Sequence, residues 1–138
     1  MPKPKVLFIC LGNSCRSIMA EALARHRCGD QWEAASAGLA PLGFVAPGTL
    51  QVLAEMGVST VGLHSKGLEE FDLTEYRLLV NLTDHSLKGR ISPDFFSRVL
   101  PRSAPDPYGG SLDSYRRSRD AIDRVIMEEL CREAAPGP

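Results

Sequence analysis

The chain has 138 residues, of which 43% are hydrophobic and 24% are charged, with a formal net charge of -1. This length is typical of one domain that buries its own core, so we expect a single domain over residues 1–138. The balanced charge provides no broad positive surface for nucleic acid, and no apolar run is long enough to cross a bilayer. We therefore expect no nucleic-acid partner and no membrane partner.

The cysteines, Cys10, Cys15, Cys28 and Cys131, are too few and too widely spaced for a disulfide framework or a zinc ribbon. The three histidines also lack metal-ligand spacing, so we predict neither a metal nor another cofactor. Lysines precede the first apolar run, but that run is too short for a signal peptide. These features predict a protein of a reducing, cytoplasmic compartment.

The first predicted elements are a strand, a helix and a second strand. Residues 5–10, KVLFIC, form the continuous apolar run of a strand that is covered on both faces. Good helix formers follow at residues 17–28, with Ser17 at the N-cap or in the first turn. A shorter strand is predicted at residues 32–38.

A second helix is predicted at residues 46–57, APGTLQVLAEMG. Its spacing places Leu50, Leu53 and Met56 on one buried stripe. Gly57 is the expected residue just beyond its end.

The second half of the chain continues the alternation. A third strand is predicted at residues 76–83, a weaker fourth at 96–101, a Pro- and Gly-rich loop at 103–111, and a loose tail at 134–138. A long final helix has one apolar face, formed by Leu112, Tyr115, Ile122, Val125, Ile126 and Leu130. Strands that alternate with helices predict an α/β fold, a three-layer sandwich in which helices cover both faces of a parallel sheet.

Ligands of such sheets bind beyond the carboxyl ends of the strands, which is where Cys10 ends the first strand. The loop Leu11–Cys15 connects it to the first helix, and Gly12 and Asn13 readily adopt the left-handed backbone that turns successive N–H groups inward. Arg16 can bind two oxygens of a tetrahedral oxyanion at the helix N-terminus. The loop after the first strand is therefore predicted to bind phosphate.

The same surroundings favour chemistry at Cys10. A thiol at a helix N-terminus beside a guanidinium is stabilised as the thiolate, and Ser17 can donate its hydroxyl to the sulfur. Attack on a bound monoester would give a cysteinyl-phosphate. Asp106, in the loop after the last strand, is the best candidate to protonate the leaving oxygen, and Tyr108 can stack on an aromatic leaving group.

Two motifs resemble the low-molecular-weight protein tyrosine phosphatases. VLFICLGNSCRS resembles their Cys-x5-Arg-Ser signature after a strand, and DPYGG resembles their general-acid loop. Further similar segments, among them MAEAL, SAG and LLVNLTDHSL, follow in the expected order over nearly the whole chain. The resemblance implies a four-stranded parallel sheet and a metal-free, two-step hydrolysis of phosphorylated proteins or small aryl phosphates.

The resemblance also implies a role for each matching residue. Cys10 would be the nucleophile, Arg16 the phosphate clamp, Asn13 and Ser17 the supports of the loop and the thiolate, and Asp106 the acid and then the base. The bound substrate, inorganic phosphate or other oxyanion would also contact the other residues of this loop, Leu11, Gly12, Ser14 and Cys15. Tyr108 would contact it from the loop that carries Asp106.

The related thioredoxin-coupled arsenate reductases share this loop and are the alternative. They relay electrons through two further cysteines, at positions where this chain has Thr83 and Arg90, so that relay cannot operate. Cys10 and Cys15 could still exchange with an external thiol reductant, and Cys15 is either a packing residue or the partner of Cys10 in a reversible disulfide. A non-catalytic anion-binding module is disfavoured because nucleophile, clamp and acid are all present.

Ser14 leaves the substrate open. Many tyrosine phosphatases have a bulky aliphatic residue at this position, whereas relatives that resemble protein-arginine phosphatases have Thr. A small hydroxyl residue at the floor of the pocket is therefore compatible with phosphoarginine as well as phosphotyrosine.

Overall fold

The computed structural model describes residues 2–131 and contains a four-stranded parallel sheet in the order β2-β1-β3-β4. The strands are β1 (Lys5–Cys10), β2 (Glu33–Gly38), β3 (Leu78–Asn81) and β4 (Val99–Pro101). This confirms the predicted α/β fold and its sheet. The tail predicted at 134–138 lies outside the described residues.

Two α-helices lie between strands, α1 (Arg16–Cys28) and α2 (Pro47–Glu55), and a third, α3 (Leu112–Glu129), follows β4. α1 packs against α3 and against β1 and β2, and α2 packs against α3. Shorter 3-10 helices occupy Leu68–Glu70, Leu73–Glu75 and Pro93–Arg98. None of the helices among residues 2–131 is long and apolar enough to cross a membrane.

The two faces of the sheet bury different side chains. Val6 and Phe8 of β1 pack in the cluster that includes residues of all three α-helices, whereas Leu7 and Ile9 pack in a cluster beneath the 3-10 helices. The step from β1 to β2 runs opposite to the steps from β2 through β4, so right-handed connections place these layers on opposite faces. The expected helices on both faces are therefore present, with 3-10 helices on the second face.

The stripe predicted for α2 is partly wrong. Leu53 is fully buried, but Leu50 is 38% exposed, and Met56 lies just beyond the helix and is only half-buried. The buried face is formed instead by Thr49, Val52 and Leu53, because Thr49 donates its hydroxyl to the loop after β1. The spacing of apolar residues alone does not predict that a threonine is buried.

The fourth strand is shorter than the sequence predicted, whereas the buried face of the last helix agrees with the prediction. The fourth strand covers only Val99–Pro101, because a 3-10 helix begins at Pro93 and continues to Arg98. On α3, Tyr115, Ile122 and Ile126 are buried as predicted. These three side chains fix the helix over α1 and α2, and hence the end of the loop that carries Asp106.

Candidate active site

The loop between β1 and α1 turns its carbonyl groups away from its centre. Four of its carbonyl oxygens accept hydrogen bonds of 2.8 to 3.2 Å from backbone N–H groups behind the loop, in the pairs Cys10–Leu39, Leu11–Ala40, Gly12–Leu42 and Ser14–Ala46. Within the described part of the chain, no N–H group of residues 11–16 donates to a protein acceptor. These N–H groups therefore have no protein partner among the described residues, as an oxyanion-binding loop requires.

The turn of this loop depends on Asn13. Its φ of 45° makes it the one non-glycine residue among those described with a left-handed backbone. The same prediction for Gly12 is wrong, because Gly12 does not have a positive φ. What Gly12 provides is space, since an added Cβ would lie 3.0 Å from Cγ of Leu42, a residue of the cleft.

Three hydrogen bonds connect the backbone of Lys66, through Asn13 and Ser17, with the sulfur of Cys10. The backbone N–H of Lys66 donates to Asn13 Oδ1 at 2.7 Å, and Asn13 Nδ2 donates to Ser17 Oγ at 2.7 Å. Ser17 Oγ lies 2.9 Å from Cys10 Sγ, and its own proton remains to be donated to the sulfur. Asn13 and Ser17 thus lie where supports of a Cys10 thiolate should lie.

Arg16 is the first residue of α1, and its side chain is held between the ends of two strands. Its NH1 donates to the carbonyl oxygens of Leu82, at 3.2 Å, and Ala104, at 3.4 Å, which follow β3 and β4. Its NH2 lies 3.6 Å from Oδ2 of Asp106. These contacts hold the guanidinium at the carboxyl edge of the sheet, beside the loop that ends β1.

Asp106 lies at this same edge, as the sequence predicted. Its side chain is 49% exposed, and its Oδ1 accepts the backbone N–H of Tyr108 at 3.1 Å. Pro105 and Pro107 flank it and restrict the backbone on both sides. The carboxylate is therefore held near Arg16 while it remains in contact with solvent.

A cleft of about 210 Å³ joins these groups. It is lined by all of the predicted site residues except Asn13 and Ser17, which lie behind the sulfur. Arg16 is the only cation among the described residues that line it. Among residues 2–131, including those of the cleft, no group of three or more His, Cys, Asp or Glu residues could hold a metal ion.

The rim of this cleft is apolar. Leu11, Leu42, Phe44 and Tyr108 are between 44% and 52% exposed, and the Phe44 and Tyr108 rings lie 6.4 Å apart in a tilted arrangement. The sequence suggested Tyr108 as a wall but gave no reason to select Leu42 or Phe44, which come from the loop after β2. Exposed apolar side chains beside Cys10 and Arg16 favour a guest with an aromatic or apolar body.

Cys15 and Ser14 are the two buried residues of the loop that directly precede Arg16. The thiol of Cys15 lies 3.6 Å from the hydroxyl of Tyr115, and burial raises the pKa of Cys15, which favours the neutral thiol. Burial likewise raises the pKa of Tyr115. The Ser14 hydroxyl is buried and has no hydrogen-bond partner in the described part of the chain.

Several supporting contacts were missed at the sequence level. Thr49 donates its hydroxyl to the Ser14 carbonyl at 2.9 Å, from 35 residues away in the chain. Gly38 allows β2 to approach the loop, because a Cβ there would lie 2.8 Å from the Leu11 carbonyl. Lys66, whose N–H donates to Asn13, is 53 residues away from it in the chain. These residues are recognisable only from the folded structure, because their partners are far away in the chain.

The fold is a four-stranded parallel sheet whose first strand is followed by a loop with N–H groups that are unbonded within the described residues, and known proteins identify the family to which it belongs. A family model described as low molecular weight phosphotyrosine protein phosphatase matches residues 5–134. The chain therefore belongs to this family, and the resemblance of VLFICLGNSCRS is confirmed.

Individual relatives include both kinds of enzyme in the family. Arsenate reductase 2 of Staphylococcus epidermidis is 31% identical over 133 residues, which cover 91% of this chain and 95% of that protein. An arsenate reductase solved in the phosphate binding state is 27% identical with a TM-score of 0.81, over 91% of this chain and 95% of that one. A low molecular weight protein tyrosine phosphatase from T. tengcongensis is also 27% identical, with a TM-score of 0.78, over 91% and 99%.

Proposed function

We propose that this protein is a protein phosphatase that hydrolyses phosphotyrosine through a cysteinyl-phosphate. The observation that carries the proposal is the single cleft in which Cys10, Arg16 and Asp106 meet beneath an aromatic rim. Arg16 and the inward N–H groups would hold the phosphoryl oxygens, so that the phosphorus lies over the Cys10 sulfur.

The first step is displacement at phosphorus. Cys10 Sγ forms a bond to phosphorus while the bond to the aryl oxygen breaks, and Asp106 gives its proton to that oxygen. In the second step the Asp106 carboxylate takes a proton from water, and the water oxygen displaces Cys10 from phosphorus. Inorganic phosphate leaves, and the Cys10 thiolate and the protonated Asp106 are restored.

The rim supports an aryl phosphate as the preferred substrate. Tyr108 lines the cleft and Phe44 lies beside it, so that both rings are close to where the tyrosyl ring of a phosphoprotein would lie. Phosphoarginine is the second substrate that the site supports, because the unpartnered Ser14 hydroxyl can accept a guanidinium N–H. A nucleophilic thiolate requires a reducing compartment, so we propose that the protein acts in the cytoplasm.

Thiol-dependent arsenate reduction is the alternative, and identity to named arsenate reductases favours it. Cys10 and Cys15 line the same cleft, so an arsenylated Cys10 could be resolved by Cys15 or by an external thiol. The positions expected for a further cysteine pair hold Thr83, bonded to Asn81 at 2.7 Å, and Arg90, bonded to the Leu39 carbonyl at 2.7 Å. An internal three-cysteine relay is therefore not proposed.

One preparation of the full chain can decide between these activities. Turnover is measured with a phosphotyrosine peptide, a phosphoarginine peptide, and arsenate in the presence of a thiol and thioredoxin. We expect the highest kcat/KM with phosphotyrosine. Faster turnover of arsenate than of either phosphopeptide would overturn the proposal, and a preference for phosphoarginine would correct the substrate but keep the hydrolytic mechanism.

A further inference from the structure

A buried charged cluster lies behind the loop that carries Cys10. The side chain of Glu21 on α1 is only 3% exposed, and its Oε1 accepts a hydrogen bond of 2.5 Å from Ser36 Oγ on β2. The Nζ of Lys66 lies 3.4 Å from both of these oxygens and donates to the carbonyl of His64 at 2.6 Å. Arg25 pairs with the other carboxylate oxygen of Glu21.

Lys66 also reaches the loop through its backbone. Its N–H donates to Asn13 Oδ1 at 2.7 Å, and its carbonyl accepts the N–H of Gly38 at 2.9 Å. The preceding residue, Ser65, contacts the carbonyl of Gly12 at 3.3 Å. A segment without helix or strand thus lies against the loop between β1 and α1, and the Lys66 side chain anchors this segment in the core.

The Lys66 N–H sets the direction of the hydrogen bonds that lead to Cys10. A backbone N–H can only donate, so the Asn13 atom that it contacts must be the carbonyl oxygen. The amide NH₂ of Asn13 then faces Ser17 and donates to it, which leaves the Ser17 proton for the sulfur of Cys10. With the Asn13 amide reversed, Ser17 would give its proton to Asn13 instead.

We propose that Lys66 is a positioning residue for the candidate nucleophile. Its ammonium group, anchored on Glu21 and Ser36, fixes the backbone N–H that orients Asn13, and Asn13 in turn directs the Ser17 proton to Cys10. The inference rests on the proposed role of Cys10 as nucleophile, and it holds whichever oxyanion the site uses.

The cluster allows this role to be separated from a purely structural one. Without the Lys66 ammonium, Glu21 keeps Arg25 and Ser36 as partners, so its charge is not left unpaired. Lys66 contacts neither the N–H groups of residues 11–16 nor the side chain of Arg16, which keeps its bonds to the Leu82 and Ala104 carbonyls. Loss of the ammonium should therefore weaken the nucleophile more than oxyanion binding.

The test compares Lys66→Met with Lys66→Arg, which keeps a cation, and with Lys88→Met, which removes an exposed lysine. Alkylation of Cys10 by iodoacetamide at neutral pH is followed on the Cys10 peptide by mass spectrometry, and kcat, KM and inhibition by inorganic phosphate are measured in parallel. Thermal unfolding curves show the temperatures at which each variant is folded, and the assays are run within that range.

For Lys66→Met we expect the rate of Cys10 alkylation and kcat each to fall about ten-fold. This is the effect expected when one hydrogen bond to a charged group is lost. Inhibition by phosphate should change by less than about two-fold, and both control variants should stay within about three-fold of the parent protein. Unchanged alkylation in folded Lys66→Met would overturn the proposal, as would equal losses in Lys66→Met and Lys66→Arg.

The alkylation assay needs no substrate, so it separates this inference from the proposed function. If the parent protein hydrolyses no phosphate ester but Lys66→Met still slows alkylation of Cys10, the positioning role stands and the phosphatase proposal fails. If the parent is an active phosphatase and alkylation is unaffected, the positioning role fails alone.

Discussion

The phosphate loop, residues 10–17, and the acid loop, residues 103–111, meet at one cleft but are built differently. In the phosphate loop Asn13 and Ser17 are fully buried, and the carbonyl groups are bonded to the segments behind them. In the acid loop Asp106 is half exposed and is held by one backbone N–H and an ion pair with Arg16. One loop is therefore fixed from within the core, and the other is held at the surface.

This difference matches the tasks proposed for the two loops. A nucleophile and an oxyanion cradle need fixed geometry, because misplaced donors lose their advantage over water. The acid must serve the leaving oxygen first and a water molecule later, so contact with solvent suits it. Changes in the phosphate loop should alter stability and activity together, whereas changes in the acid loop should alter activity alone.

The largest effect is expected for Asp106→Ala. With phosphotyrosine, turnover should fall about 10²- to 10⁴-fold, because the leaving oxygen receives no proton. The loss should shrink with an aryl phosphate whose leaving group is acidic, and the melting temperature should hardly change. Steady-state kinetics over a series of leaving groups check this expectation.

Asp84→Ala is the matched control for Asp106, because Asp84 is an exposed aspartate at the same edge of the sheet. Its removal should leave the dependence on leaving group as it is in the parent protein. An Asp106→Ala variant with that same parental dependence would show that Asp106 is not the acid.

A smaller loss, about 10- to 10²-fold in kcat, is expected for Asn13→Ala, because the bonds to Lys66 and Ser17 disappear. The left-handed φ should add about 1–2 kcal/mol of destabilisation. Asn13→Gly should recover the stability that Asn13→Ala loses through its backbone, as measured by denaturant unfolding. It should not recover kcat. If glycine restores both, the side-chain bonds of Asn13 do not matter for catalysis.

For Tyr108→Ala we expect KM for phosphotyrosine to rise about three- to ten-fold, since one ring contact at the rim is lost. Tyr108→Phe keeps the ring and should stay within about two-fold of the parent. Inhibition by inorganic phosphate, which has no ring, should be the same in all three proteins. An equal loss of phosphate binding would assign Tyr108 to the oxyanion site instead.

The smallest effect is expected far from both loops, at Glu55 on α2. Hydrogen bonds from Arg116 and then Arg119 lower the pKa of Glu55 to about 2. Because this value lies below the value of about 4.3 in an unfolded chain, Glu55 stabilises the fold above that pH and loses its effect as the pH falls toward 2.

Glu55→Gln should therefore lower the melting temperature by no more than about 3 °C at neutral pH, with no change in kcat, since such exposed pairs are weak. The difference from the parent protein should disappear near pH 2. A difference that grows on acidification would contradict the assignment of the lowered pKa.

Local sequence was sufficient for much of this molecule. The apolar run of β1, the helix formers of α1 and the motif between them predicted a loop at the sheet edge, and Asp106 was placed at the same edge by strand order alone. The contacts that support the loop depend on pairing over long distances in the chain, as with Thr49 and Lys66. Leu50 was misassigned for the same reason, because a threonine took the buried position.

In the proposed reaction, Cys10 carries the phosphoryl group during turnover. The most direct test mixes the Asp106→Ala variant with an aryl phosphate that has a good leaving group, quenches the reaction in acid, and measures the Cys10 peptide by mass spectrometry. We predict a peptide heavier by one phosphoryl group, and none in the doubly substituted Cys10→Ser, Asp106→Ala protein. Turnover of the ester without a phosphorylated Cys10 peptide, or with phosphate on another residue, would contradict the account.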